Sequence, residues 1–177
     1  MVYESGQEVM PFLLIAVAGV IVVALLYSSR AEGSDTVSDS NDVLPPSNAP
    51  AGIRNNNPTN LKGSGWQGAT GKDRQGHNIF DTMVNGLRAA FIDINTKMTR
   101  GDDSVDDIVQ LWAGAEAPNI QAYKQFVAKR MGVNVQQKLT YQVHATPLIQ
   151  ALSAFENAPY DVSKLPYADA RKKANKG

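Results

Sequence analysis

GIRNNNPTN, residues 52–60, decides how this chain is read. Three consecutive Asn before a Pro make a poor helix and a poor strand. Asn tolerates left-handed backbone angles and bonds to its own neighbouring amides, and Pro58 fixes the turn that follows. On physical grounds alone the stretch is a structural turn. On its C-terminal side, residues 61–80 read LKGSGWQGATGKDRQGHNIF. Gly recurs, Trp66 and Phe80 are aromatic, and KDRQG supplies a turn, which predicts a short, irregular β-hairpin.

Helical spacing takes over after Phe80. Asp81 is a suitable N-cap for a helix beginning at Thr82. Val84, Leu87, Phe91, Ile94 and Met98 then recur at three- and four-residue intervals as one apolar stripe, and Gly101 stops the helix. Ser104 to Asp107 puts a cap and an acid in the first turn of the next helix, where the helix dipole favours them. Val105, Ile108, Leu111 and Trp112 form its apolar face, and Gly114 ends it. Asn119 is positioned to cap a third helix through Ile120, Tyr123, Val127 and Met131, stopped by Gly132. Thr146-Pro147 starts a fourth, with Leu148, Leu152 and Phe155 inward. The predicted fold class is α+β and mainly helical: a small hairpin followed by about four helices.

The N-terminal side is different in kind. Residues 28–51 are rich in Ser, Asp, Asn, Pro and Ala, with few large apolar residues. Such a segment cannot bury enough surface to offset its ordering entropy, so it is expected to be a disordered tether. Residues 10–27, MPFLLIAVAGVIVVALLY, carry no charge. At ~1.5 Å per residue a helix of that length spans roughly 27 Å, close to a hydrocarbon core of ~30 Å. The preceding flank, residues 1–9, holds Glu4 and Glu8 and no Lys or Arg. A cleaved signal peptide needs a basic n-region, so the run from Met10 to Tyr27 reads as an uncleaved, single-pass transmembrane helix in a lipid bilayer.

The Lys and Arg residues number 17 and so do the Asp and Glu residues, which hides an asymmetry. The tether is acidic, and residues 158–177 form a basic tail ending ARKKANKG. That tail reads as a solvated, frayed end. Contact with anionic lipid is the sharper alternative, and contact with nucleic acid a less favoured one. Residues 52–157 remain for one globular domain of modest core. With no Cys there is no disulfide framework and no thiolate metal site. His77 and His144 are too far apart in sequence for ligand-like spacing, and no zinc site is expected. The chain shows no Gly-rich phosphate loop, no Ser nucleophile elbow and no internal repeat, and no cofactor is expected.

GIRNNNPTNL, then WQG, then NIFDTMVNGLRAA, then IVQLWAGAEAPNIQAYKQFVAKRMGV resembles a family of phage virion proteins. The family's recurring pattern is GIRNNNPGN, WQG, F-x-x-x-x-x-G-x-R-A, and WAPP-x-E-N ahead of Y-x-x-F-V-x-x-x-G-V. The likeness runs over residues 52–133, and several motifs in order make it more specific than any one alone. It implies a lysozyme-like domain and a lysozyme-like or lytic-transglycosylase-like activity on peptidoglycan glycan strands during host entry. Some members are known only as virion structural proteins. The implied location is a virion membrane or the bacterial inner membrane, beside other virion membrane proteins. This sequence departs from the pattern at Thr59, where the family has Gly, at Gly114-Ala115 in place of the Pro pair, and at Ala117-Pro118 after Glu116. In most lysozyme-like folds the general acid is a Glu ending a helix that precedes the hairpin. Here the nearest Glu upstream of Gly52 is Glu32, in the tether.

Glycosidic cleavage needs a carboxylic acid that still holds a proton near neutral pH, which burial against apolar groups favours. A hydrolase adds a second carboxylate, whereas a lytic transglycosylase manages with one because the sugar supplies the attacking group. Residues 52–157 contain two Glu. Glu116, in WAGAEAPN, stands just past a helix end and four residues from Trp112, among small apolar residues. It is the expected general acid, with an ordinary loop Glu as the plain alternative. Glu156 ends the last helix next to the tail and is the weaker candidate. Asp73, in the hairpin turn that borders the cleft of lysozyme-like folds, is the expected second carboxylate. Asp81 is better explained as a cap, and Asp102, Asp103, Asp106 and Asp107 as a solvated acidic helix start. Asn57, Asn60, Trp66, Gln67 and Tyr123 are residue types that bind glycan, through ring stacking and amide hydrogen bonds. For Trp66 and Tyr123 a core role competes, and for Asn57 and Asn60 local capping does. Two functions stand open: a membrane-anchored, peptidoglycan-cleaving virion enzyme, and a non-enzymatic virion membrane protein with a glycan-binding domain.

Overall fold

The computed structural model describes residues 47–114 and 117–176. The expected transmembrane run, most of the tether and Glu116 lie outside the described residues. Among those described, no helix is long and apolar enough to cross a membrane. The architecture is mainly helical with one small antiparallel sheet, as the spacing predicts.

A single turn, α1 (Ala51–Arg54), opens the domain, with the Ile53 and Arg54 amides donating to the Pro50 carbonyl. The Asn-rich turn follows. Asn56 and Asn60 take left-handed φ values of 51° and 52°, the conformation that favours Asn over most other residues. The hairpin is β1 (Ala69–Lys72) against β2 (Asn78–Phe80), paired Ala69 with Phe80, Gly71 with Ile79 and Lys72 with Asn78, with an irregularity between Ala69 and Gly71.

The long helix α2 (Met83–Arg100) starts one residue later than expected. Its N-cap is Thr82, not Asp81: Thr82 has the extended backbone of a cap, and its hydroxyl accepts the Asn85 amide at 3.3 Å. Asp81 stands one residue outside and accepts the Asn85 side-chain amide at 2.7 Å. Gly101, at φ 98°, stops the helix. The next helix, α3 (Val105–Ala113), begins with a full capping box between Ser104 and Asp107. Val105, Ile108 and Val109 are buried, but Leu111 is 54 % exposed, against expectation. At ~100° per residue, Leu111 lies roughly 110° round the helix from the middle of the stripe formed by residues 105, 108, 109 and 112.

Helix α4 (Ile120–Met131) ends at the left-handed Gly132 as expected, although the Asn119 side chain makes no capping bond. Helix α5 (Tyr141–Glu156) begins five residues before Thr146 and carries Pro147 inside it. Proline removes one donor, which leaves the Val143 carbonyl without its helical partner. Val143 is 66 % exposed, so the lost bond falls on the solvent side of the helix, which continues past Pro147.

The C-terminal segment is a correction to the sequence reading. Residues 158–177 were expected as a frayed basic tail, yet Tyr167–Ala174 forms helix α6 and packs against α2. Spacing explains it: Tyr167 and Ala170 fall on one face and enter the main core, while Lys172 and Lys173 take the other. The Tyr167 hydroxyl donates to the Val162 carbonyl at 3.0 Å, and Arg171 donates to the Thr146 hydroxyl and the Gln142 carbonyl. Lys173 reaches Asn85 on α2 at 2.7 Å.

The main core lies between α2, α3, α4, α5 and α6, around Phe91, Ile94, Ile108, Leu148 and Leu152. A small cluster of Leu61, Phe80 and Ala89, flanked by Trp66 and Trp112, seats the hairpin on α2. At Gly86 the Asn-rich turn comes close to α2: a Cβ at residue 86 would stand 1.8 Å from the Asn56 carbonyl oxygen.

Candidate functional site

Three consecutive Asn clip the turn to the hairpin, each by its own side chain. Asn55 donates to Asp73 Oδ2 at 3.0 Å, and Asn56 to the Phe80 carbonyl at 3.0 Å. Asn57 donates to the Leu61 and Asn78 carbonyls at 2.9 and 2.8 Å and accepts the Leu61 amide at 2.8 Å. The turn also receives the far end of the chain. Asn157 donates to the Pro58 carbonyl, and Asn60 donates to Glu156 Oε2 at 2.8 Å. The last residues of α5 and the turn that leads into the hairpin therefore form one hydrogen-bonded unit.

A cleft of about 260 Å3 opens at this junction, lined among others by Asn60, Lys62, His77, Trp112, Tyr123 and Glu156. Tyr123 is buried, with its ring stacked on Phe155 at a centroid distance of 3.8 Å. Its hydroxyl donates to Glu156 Oε1 at 2.8 Å. Burial, and then the neighbouring Glu156, push the Tyr123 hydroxyl well above its ordinary pKa, so it stays a donor. Each Glu156 oxygen thus accepts one protein hydrogen bond, and a carboxyl has lone pairs beyond these two. Trp112 donates from its indole to the Thr59 carbonyl at 2.8 Å, which fixes its ring at the cleft edge. A larger cleft of about 710 Å3 runs along α6 past Thr146 and Arg171. It has no comparable carboxyl held by donors beside stacked rings, so the smaller cleft is the better site for bond-breaking chemistry.

The other expected site residues are dispersed. Asp73 organises the hairpin turn. Its Oδ1 accepts the Gln75 and His77 amides, each at 2.9 Å, and its Oδ2 faces His77 Nδ1 at 3.1 Å. Burial raises its pKa, but the hydrogen bonds from His77 and Gln75 outweigh that and hold it below the usual carboxylate value. It is a charged turn anchor, and His77 rather than Asp73 lines the cleft. Asn57 is fully buried, with its amide committed to the hairpin. Trp66 packs on Leu61 and Phe80, and Gln67 is exposed; neither lines the cleft. Of the five expected glycan-binding residues, Asn60 and Tyr123 meet at the cleft and Asn57, Trp66 and Gln67 do not. Glu116 lies outside the described residues. Among those described, no group of three His, Asp or Glu is placed to hold a metal ion.

No protein-family model matches the chain. Over 126 residues it is 32 % identical to protein P5 of Pseudoalteromonas phage PM2, an alignment covering 66 % of this chain and 78 % of that protein. The chain belongs to the protein P5 family. That relative is a bacteriophage protein, which agrees with the phage origin expected from the motifs. In this P5-family chain Glu156 is the one carboxylate among the described residues that lines the cleft. In the sequence Glu156 reads as the weaker candidate because it ends a helix next to a presumed tail. Trp112, Lys62 and His77 were also missed as cleft residues, since Trp112 carries an apolar-stripe signal and the other two carry none.

Proposed function

We propose that this P5-family chain cleaves the glycan strands of peptidoglycan, with Glu156 as the general acid. The observation that supports this most is the Glu156 carboxyl itself, held in the cleft by Asn60 on one side and Tyr123 on the other. Fixing both oxygens sets the direction in which the carboxyl presents a proton, and a positioned acid contributes about 10²–10⁴-fold to such a reaction. The arrangement also answers the lack of a Glu between the tether and the hairpin. In lysozyme-like folds a helix-terminal Glu is delivered to the hairpin from the N-terminal side. Here the final residue of α5 reaches the turn before the hairpin from the C-terminal side, 96 residues away from Asn60.

Glu156 is the single lining carboxylate among the described residues, which favours a lytic-transglycosylase reaction over a two-carboxylate hydrolysis. Glu156 gives its proton to the glycosidic oxygen as the C1–O bond breaks. A hydroxyl of the same sugar then closes on C1 and returns its proton to Glu156, so one proton is borrowed and restored. Asn60 steers the carboxyl, and Trp112 offers an apolar ring edge at the cleft to a sugar. In this reading residues 10–27 anchor the chain in a virion or bacterial inner membrane, and the tether lets the domain reach the cell wall during entry. The test is a zymogram of the full chain on purified peptidoglycan, beside Glu156→Gln. Clearing by the wild type and none by the variant is the expected result. Binding without clearing by the wild type would instead support the non-enzymatic glycan-binding alternative.

A further inference from the structure

A second hollow of about 130 Å3 adjoins the first and shares Asn60, Lys62 and Trp112 with it. The second hollow is completed by Leu61, Asp93, Lys97 and Leu111. Two of its side chains stand open to solvent. Leu111, well off the buried stripe of its helix, is 54 % exposed. Lys62 is exposed, and among the described residues it has no carboxylate partner, whereas Lys97 is paired with Asp93 and lies 5.4 Å over the Trp112 ring. An ammonium with no carboxylate partner among the described residues and an exposed apolar side chain therefore share a hollow next to the proposed acid.

We propose that this hollow reads the acidic side branch of the glycan: Lys62 pairs with a branch carboxylate while Leu111 contacts the branch methyl groups. The preferred substrate is then a glycan whose sugars carry lactyl or peptide branches with free carboxylates, not a neutral chitin-type chain. This inference rests on the cleft being a peptidoglycan site, and it adds which residues read the acidic branch.

The experiment is calorimetric titration of the full chain with three tetrasaccharides: a neutral chitin oligomer, the branched glycan with free branch carboxylates, and the same branched glycan with those carboxylates amidated. Wild type should bind the acid form about two- to fivefold more tightly than the amide, the range for one exposed ion pair, and the preference should fade at high salt. Lys62→Met should abolish the preference and Lys62→Glu should reverse it. Lys129→Glu makes the same charge change at an exposed site outside both hollows and should keep it. Binding of the branched glycans with no acid preference, or a preference that survives Lys62→Glu, overturns this inference and leaves the glycan site standing. Binding of none of the three overturns both.

Discussion

Replacing Gly86 by Ala sets two effects of opposite sign against each other. Gly86 lies inside α2, where Ala is favoured by about 1 kcal/mol on helix propensity alone. The added methyl, however, would stand 1.8 Å from the Asn56 carbonyl oxygen, 2.9 Å from its carbon and 3.2 Å from the Phe80 ring. Two of these neighbours are backbone atoms of a turn tied to the hairpin by three Asn side chains, so they cannot swing aside as a flexible side chain would. Restoring an ordinary contact means moving the turn by more than 1 Å, on the order of a bond length, with loss of some of those clips. Overpacking of this kind costs roughly 1–3 kcal/mol, and strained loss of a buried hydrogen bond adds about 1 more. The clash outweighs the propensity, and the net destabilisation should be about 2 kcal/mol. In urea, followed by Trp66 and Trp112 fluorescence, an m-value of about 2 kcal/mol/M turns this into a midpoint lower by roughly 1 M. A midpoint that is unchanged or raised would mean that the turn does not sit on α2 at Asn56.

Three further outcomes are expected. Asn57→Ala should destabilise by about 3 kcal/mol in the same titration, because it strands the buried Leu61 amide and weakens the link to Asn78. Tyr123→Phe keeps the stack on Phe155 but removes the donor to Glu156; steady-state kinetics on peptidoglycan should show kcat lowered about tenfold or more, with KM little changed, as expected when an acid loses its orientation. Stability should fall with acid. Asp81, through its bond from Asn85, and Asp73, whose hydrogen bonds outweigh burial, both have folded pKa values below the unfolded ones. Their contribution is therefore present above the unfolded value, near pH 4, and is lost as pH drops through the folded value. Thermal melts of Asp81→Asn should show a shallower decline between about pH 4 and pH 2 than the wild type.

The parts of the fold legible in the sequence are those set by local chemistry. The left-handed Asn residues, the hairpin turn, the capping box at Ser104 and the glycine stops at Gly101 and Gly132 each involve residues within a few positions of one another. The start of α5 is misplaced because Thr146-Pro147 reads as a helix opening, whereas Pro147 lies inside the helix and its missing donor falls opposite the exposed Val143. Helix α6 was hidden by its basic composition, which masks the two residues that bury it, Tyr167 and Ala170. The site was the least legible part. Asn60 and Tyr123 were recognisable as glycan-binding types, but their meeting with Glu156 spans 96 and 33 residues. No local pattern encodes that meeting. One trace of it is present: Asn157, directly after Glu156, is an Asn at a helix end, and it is buried against the Pro58 carbonyl.

The central claim is that the Glu156 carboxyl breaks the glycan strand, and the end groups of the products test it most directly. Purified peptidoglycan is incubated with the full chain, with Glu156→Gln and with Glu116→Gln, and the soluble fragments are weighed by mass spectrometry. Anhydro-sugar ends are expected from the wild type and from Glu116→Gln, and at least about a hundredfold fewer from Glu156→Gln, the scale of losing a general acid. Undiminished product from Glu156→Gln, or its loss in Glu116→Gln alone, would contradict it.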